Sequence, residues 1–247
     1  MKFAILKAGT STDRGRREKG DVEGMFKSLL AQPGDDWEVY EVKKGQFPAR
    51  IEEFDGIVIT GSPKSAYDDL PWIHQLGEAI RQAYKAEVPM LGVCFGHQMV
   101  AQALGGEVTP NPNGWDIGIN HVNLTARGRS LPILNGAPQP IRILEVHQDI
   151  VSRLPTGAEI LATSAMSDVE MFCLGSRVLC LQGHPEMDNE EVREIILSRN
   201  WLPKAAVERG LAALNEMPDR DYMQGFLVRY LQSGGLTPGQ SESSAAG

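Results

Sequence analysis

The sequence predicts an α/β protein: a doubly wound, mostly parallel central sheet with helices on both faces, plus a small antiparallel β insertion. Three observations carry that expectation. Short apolar runs with strand character alternate with longer amphipathic stretches through the first half of the chain. Such alternation is the pattern of a parallel sheet covered on both sides. The middle of the chain loses the alternation and becomes rich in Pro and Gly, and the last third is helical.

The elements follow in order. KFAILKA reads as the first strand, and a Gly-containing, charged segment after it reads as a loop. VEGMFKSLLAQ has helical spacing, WEVYEV alternates like a strand, and GIVIT is a short buried-strand run. PWIHQLGEAIRQAYKA opens with Pro71 in a first helical turn and continues amphipathically. VPMLGV is the next strand, and GHQMVAQAL is a helix stopped by Gly105 and Gly106. From Gly106 to about Leu144, short strands form an insertion or an edge of the sheet. EILATS and RVLCLQG are two further strands. After Pro185 three helical stretches follow: EEVREIILSRN, PKAAVERGLAALNEM and DYMQGFLVRYLQ. A single domain over residues 1–233 is expected, with a polar, disordered tail over 234–247.

Composition narrows the functional classes. The chain has 247 residues, 42% of them apolar, which suffices for a proper core. A net charge of −8 argues against nucleic acid as a partner. No apolar run approaches the roughly 18 residues needed to span a bilayer, so no membrane association is expected. MKFAILKAG is too short for a secretory segment. Three cysteines, Cys94, Cys173 and Cys180, offer no disulfide framework and no Cys-x-x-Cys pair. A cytoplasmic, reducing location fits. The basic cluster Arg14, Arg16, Arg17 and Lys19 is interrupted by acids. It reads either as a solvated loop or as a rim that meets an anionic small molecule.

The stretch GVCFGHQ bears the chemistry. Cys94 is framed by Gly92 and Gly96 between a strand and a helix, the arrangement of a nucleophile elbow. The glycines permit a tight turn, and a helix N-terminus beside a thiol favours the thiolate. A nucleophile needs a base, and five histidines compete. His74 lies mid-helix, His97 supports the elbow, and His121 sits in a strand with no acid nearby in sequence. His147, in the polar loop EVHQD, either lines a pocket or satisfies backbone groups. His184, in QGHPE, has the better case. Pro185 pushes it toward extended backbone, which brings Glu186 to the same side of the chain as the ring. The carboxylate then holds one ring nitrogen and the other serves the thiol. Oxyanion donors are expected from the backbone N–H of Phe95 and from the turn at Gly61 and Ser62.

These pieces resemble the class I (triad) glutamine amidotransferases. GIVITGSP, GVCFGHQ, GGEV, HQD and QGHPE occur in that family's order and span roughly residues 50–190. The resemblance implies a flavodoxin-like doubly wound fold, Cys94 as nucleophile, His184 as base and Glu186 as its orienter. It further implies the N–H groups of Ser62 and Phe95 as the oxyanion hole, and Gln98 in the glutamine pocket, alongside Gly61 and His147 as expected substrate neighbours. GQFP, FDGIVITGS, DDLPWI, VHQDIV and MFCLG look more narrowly like plant γ-glutamyl peptidases, enzymes that take the γ-glutamyl group from glutathione and its conjugates. The expected substrate is therefore a small γ-glutamyl compound, with no cofactor and no metal, since no HExxH motif or compact zinc spacing occurs. Two other readings remain. One is a glutaminase subunit that passes ammonia to a separate synthase; no phosphate loop or synthase domain is visible in this chain. The other is a non-catalytic binding protein on the same fold.

Overall fold

The computed structural model describes residues 1–236. The strands are β1 (Lys2–Lys7), β2 (Asp36–Glu41), β3 (Gly56–Ile59), β4 (Met90–Val93), β5 (Glu107–Pro110), β6 (Asp116–Leu124), β7 (Ile141–His147), β8 (Asp149–Arg153), β9 (Ala158–Thr163), β10 (Met171–Leu174) and β11 (Val178–Leu181). The helices are α1 (Asp13–Lys19), α2 (Asp21–Leu30), α3 (Pro71–Lys85), α4 (Phe95–Ala103), α5 (Ala126–Ser130), α6 (Asn189–Ser198), α7 (Lys204–Ala213) and α8 (Arg220–Gln232).

Nine strands form one sheet in the order β2-β1-β3-β4-β11-β10-β9-β6-β7. Strands β2, β1, β3, β4 and β11 run parallel. The remaining four extend the sheet antiparallel, while β5 and β8 pair as a separate small antiparallel sheet. The doubly wound, mostly parallel core with an antiparallel insertion is thus the architecture observed.

Burial explains why the parallel strands read as continuous apolar runs. Along β1, Phe3 and Ile5 pack on one face with Phe26, Leu29, Phe226 and Tyr230 from α2 and α8. Ala4 and Leu6 pack on the other face with Ile80, Phe95 and Met99 from α3 and α4. Both faces are covered, so alternation between polar and apolar residues is absent. A third cluster sets α6 and α7 against β6 and β7 through Ile117, Leu144, Val192 and Ile196. No helix among the described residues is long and apolar enough to cross a membrane.

The structure departs from the sequence reading in four places. The charged loop after β1 holds a helix, α1, whose N-cap Thr12 side chain accepts from the Gly15 N–H. Its side chains are tied by distant acids: Arg14 and Lys19 pair with Asp188, and Lys19 also with Glu191. MFCL, whose four residues carry no period, forms β10. EVH belongs to β7, so His147 ends a strand and does not lie in a loop. Finally, the expected tail at 234 begins too early. Leu236 is buried and its N–H donates to the Ser176 carbonyl at 2.7 Å. The rest of that tail, residues 237–247, lies outside the described residues.

Candidate active site

Strands β4 and β11 are parallel neighbours, with Val93 opposite Leu181. The residues just beyond each strand therefore reach the same edge of the sheet. Cys94 follows β4 directly, and its N–H donates to the Leu181 carbonyl at 2.9 Å. His184 stands shortly beyond Leu181, and its N–H donates to the Leu144 carbonyl of β7 at 2.7 Å. Two stretches far apart in sequence are thereby brought side by side.

Cys94 has φ 53° and ψ −108°, a conformation that costs a non-glycine residue energy and that marks strained functional turns. The flanking glycines are required by packing. A Cβ on Gly96 would sit 2.2 Å from the Ile59 carbonyl oxygen, and one on Gly92 would sit 2.8 Å from that of Gly96. Helix α4 starts at once, so the Phe95 N–H is among the first-turn donors without an intrahelical partner. Its ring turns away into the core, against Trp72 at 5.6 Å. The loop after β3 is fixed by Thr60, whose hydroxyl accepts from Ala8 N–H at 3.0 Å and donates to the Gly61 carbonyl. A Cβ on Gly61 would lie 3.1 Å from the His184 ring and 3.7 Å from Cys94 Cβ, so Gly61 stands against both.

His184 Nδ1 meets Glu186 Oε1 at 2.7 Å, with both side chains buried. Nδ1 is thereby engaged, and Cys94 and His184 line the same cavity, both next to Gly61. Burial alone would lower the His184 pKa. The charges of Cys94 and Glu186 outweigh it and hold the pKa well above the usual value. The protonated imidazolium is the form of His184 that this arrangement favours.

The three sit in a cavity of about 490 Å³ whose wall also includes Gly61, Ser62, Gln98 and His147. The Gln98 amide donates to the Asp149 carbonyl at 2.8 Å and to Gln182 at 3.1 Å. His147 Nδ1 contacts the same Asp149 carbonyl at 3.0 Å. The Asp149 carboxylate accepts from Ser65 and Tyr67, which ties this wall to the loop beyond Ser62. The remaining histidines stand apart. His74 and His121 are exposed, paired with Asp69 and Glu216. His97 is fully buried against Phe172, and burial drives its pKa down to about 3. Cys173 and Cys180 are fully buried in strands; burial pushes Cys173 up to about 11 and Cys180 well above its usual value.

Behind His147 lies a group that the sequence reading did not single out. Ligand atoms of Glu145, His147 and Glu170 fall within 4.8 Å of one another, all buried, close enough to hold a cation. Protons settle the same charge problem without one. Burial and the neighbouring acids push Glu145 and Glu170 well above the usual carboxyl range, which favours their protonated forms. Glu145→Gln is therefore expected to flatten the dependence of Tm on pH. The folded pKa of Glu145 is raised above its ordinary 4.5. Its stabilising contribution is thus complete below about 4.5 and is lost as pH rises toward the folded pKa. Glutamine has no such proton to lose. Thermal unfolding from pH 5 to 9 should show wild type falling relative to the variant by a few degrees, at about 2–4 °C per kcal/mol for a chain of this size. Parallel curves would mean that Glu145 ionises alike in the folded and unfolded states.

A family model described as "Glutamine amidotransferase class-I" matches residues 21–202. The chain belongs to the class I glutamine amidotransferase family. This amidotransferase is similar to γ-glutamyl peptidase 3 of Arabidopsis thaliana, with 33% identity over 94% of this chain and 96% of that protein. It is also similar to a glutamine-hydrolysing GMP synthase component from Saccharolobus solfataricus, with 32% identity over 62% of this chain and 77% of that protein. The crystal structure of a glutamine amido transferase from Methylobacillus flagellatus superposes with a TM-score of 0.73 at 25% identity, covering 98% of this chain and 97% of that one. Family membership together with the peptidase relative makes this amidotransferase a hydrolase.

Proposed function

We propose that this amidotransferase cleaves γ-glutamyl amide bonds through a γ-glutamyl thioester on Cys94, and that its substrate is glutathione or a glutathione conjugate. The supporting observation is the His184–Glu186 contact of 2.7 Å on the cavity wall beside Cys94. The Cys94 sulfur attacks the side-chain carbonyl of the γ-glutamyl group. Charge that develops on the carbonyl oxygen is met by the N–H groups of Phe95 and Ser62, each donor worth roughly 10²–10³ in rate. His184 passes its proton to the departing amine. It then takes a proton from water, which hydrolyses the thioester and frees glutamate. Glu186 keeps the ring in the tautomer and orientation that both half-reactions use. Gln98 and His147, fixed to the Asp149 carbonyl, shape the wall that receives the glutamyl group.

The likeness to a GMP synthase component favours a second reading, in which the same chemistry releases ammonia from glutamine for a separate synthase. The two differ in what leaves. With purified protein alone, kcat/KM for glutathione and for an S-conjugate is expected to exceed that for glutamine. A clear preference for glutamine, or strong activation of glutaminase activity by an added synthase, would replace the first reading with the second.

A further inference from the structure

The basic segment after β1 suggested a rim for an anionic substrate, but three of its four cations are paired with acids and none of the four lines the cavity, the exposed Arg17 included. Arg14 and Lys19 are bound to Asp188 and Glu191, and Arg16 to Asp13. Two other cations stand on the cavity wall, Lys64 and Arg199. Lys64 is exposed on the loop after β3. Arg199 is half-buried at the C-terminal end of α6. Among the described residues no carboxylate pairs with its guanidinium, and the group whose charge reaches it is Cys94. Burial lowers its pKa, and the Cys94 sulfur opposes that shift. A cation taken partly out of water with no partner is costly to keep. Its cost is offset if an anion arrives with the substrate.

The surroundings orient the guanidinium. Its carbon lies 5.6 Å from the centre of the Trp201 ring, and Trp201 is 5.3 Å from Trp115. Both tryptophans line the same cavity, and Trp201 remains 59% exposed. A guanidinium held near an aromatic face by cation–π attraction keeps its N–H donors free for a carboxylate, which it can bind bidentately. This wall, built from the start of β6 and the end of α6, is distinct from the one made by Gln98, His147 and Asp149. The cavity's volume falls in the range that encloses a ligand of drug size.

We infer that Arg199, placed over the Trp201 ring on the cavity wall, forms a subsite for the carboxylate of the departing part of a γ-glutamyl peptide, while the Gln98–His147 wall takes the glutamyl part. This rests on the γ-glutamyl hydrolase reading above. A leaving group such as cysteinylglycine carries that carboxylate, whereas ammonia carries none, so Arg199 would select peptides over glutamine.

The test compares γ-glutamylcysteinylglycine with its C-terminal amide, which keeps the α-carboxylate of the glutamyl group and loses only the distal charge. Wild type should prefer the free acid by about 10- to 100-fold in kcat/KM, the worth of a charge-assisted hydrogen bond. Arg199→Gln should bring the acid-to-amide ratio close to one, and Arg199→Lys should restore part of it. Four outcomes overturn the subsite. The first is equal hydrolysis of both peptides by wild type. The second is a ratio unchanged in Arg199→Gln but collapsed in Lys64→Gln. A uniform loss on acid, amide and glutamine would place Arg199 on the glutamyl carboxylate. Hydrolysis of glutamine with neither peptide cleaved would remove the peptidase reading itself, and the subsite with it.

Discussion

Cys94→Ala should abolish turnover, with kcat reduced by at least about 10⁴-fold, while Cys173→Ala and Cys180→Ala stay active. Removing the nucleophile removes the covalent route, and what is left is the modest catalysis of oxyanion donors and binding. Only Cys94, of the three thiols, lines the cavity that His184 also lines. The other two fill strand positions in the core and are held protonated by burial. Their alanine variants lose a small buried side chain and should be less stable by about 1 kcal/mol, with kinetics intact once folded. Kinetics and thermal unfolding measured on all three variants separate the two effects. The same contrast should appear in chemistry: iodoacetamide at neutral pH should label Cys94 and spare the two buried thiols. Three folded variants all equally dead would remove Cys94 from its assigned role.

What the sequence could convey depended on how local each signal was. The turn at Cys94 is written into five consecutive residues, because the glycines on either side are demanded by close backbone contacts around one strand and one helix. His184 and Glu186 are also local, two residues apart around a proline that fixes their backbone. The parallel strands were legible because burial on both faces leaves unbroken apolar runs. Helix α1 was not. DRGRREK has no apolar period, and it is held by Asp188 and Glu191, some 170 residues later. Strands β7 and β10 were missed for a related reason. IRILEVH carries an acidic side chain facing inward at Glu145, and MFCL is too short and too uniform to show a period. Arg199, Trp115 and Trp201 could not be read as one site at all. They come from two segments that carry no motif, and only the packing of α6 and α7 on β6 joins them. His147 was seen as a candidate; Glu145, two residues before it on β7, shares its face of the strand, but the buried Glu170 meets it only through the fold.

His184→Ala should be nearly as damaging as losing Cys94, and Glu186→Gln should be milder and should change the pH profile. The imidazole serves both half-reactions, first as acid toward the leaving amine and then as base toward water. Its loss should cost at least about 10³-fold, within the range found for general acid–base groups and triad members. The amide oxygen introduced by Glu186→Gln could still accept from Nδ1–H, so orientation is partly kept and the loss should be smaller than for His184→Ala. What the amide cannot supply is the negative charge. Burial works to lower the His184 pKa, while the charges of Cys94 and Glu186 raise it. Neutralising Glu186 removes one of the two opposing charges, so the imidazolium should give up its proton at a lower pH. The imidazolium that protonates the leaving amine exists below that pKa, and the basic limb of kcat/KM should therefore move to lower pH in Glu186→Gln. In contrast, His147→Ala should leave the position of that limb in place, since His147 is bound to the Asp149 carbonyl and not to the thiol. The deciding measurement is kcat/KM against pH for wild type and the three variants on one γ-glutamyl substrate. A normal profile in His184→Ala together with an inactive His147→Ala would assign the base to the other histidine.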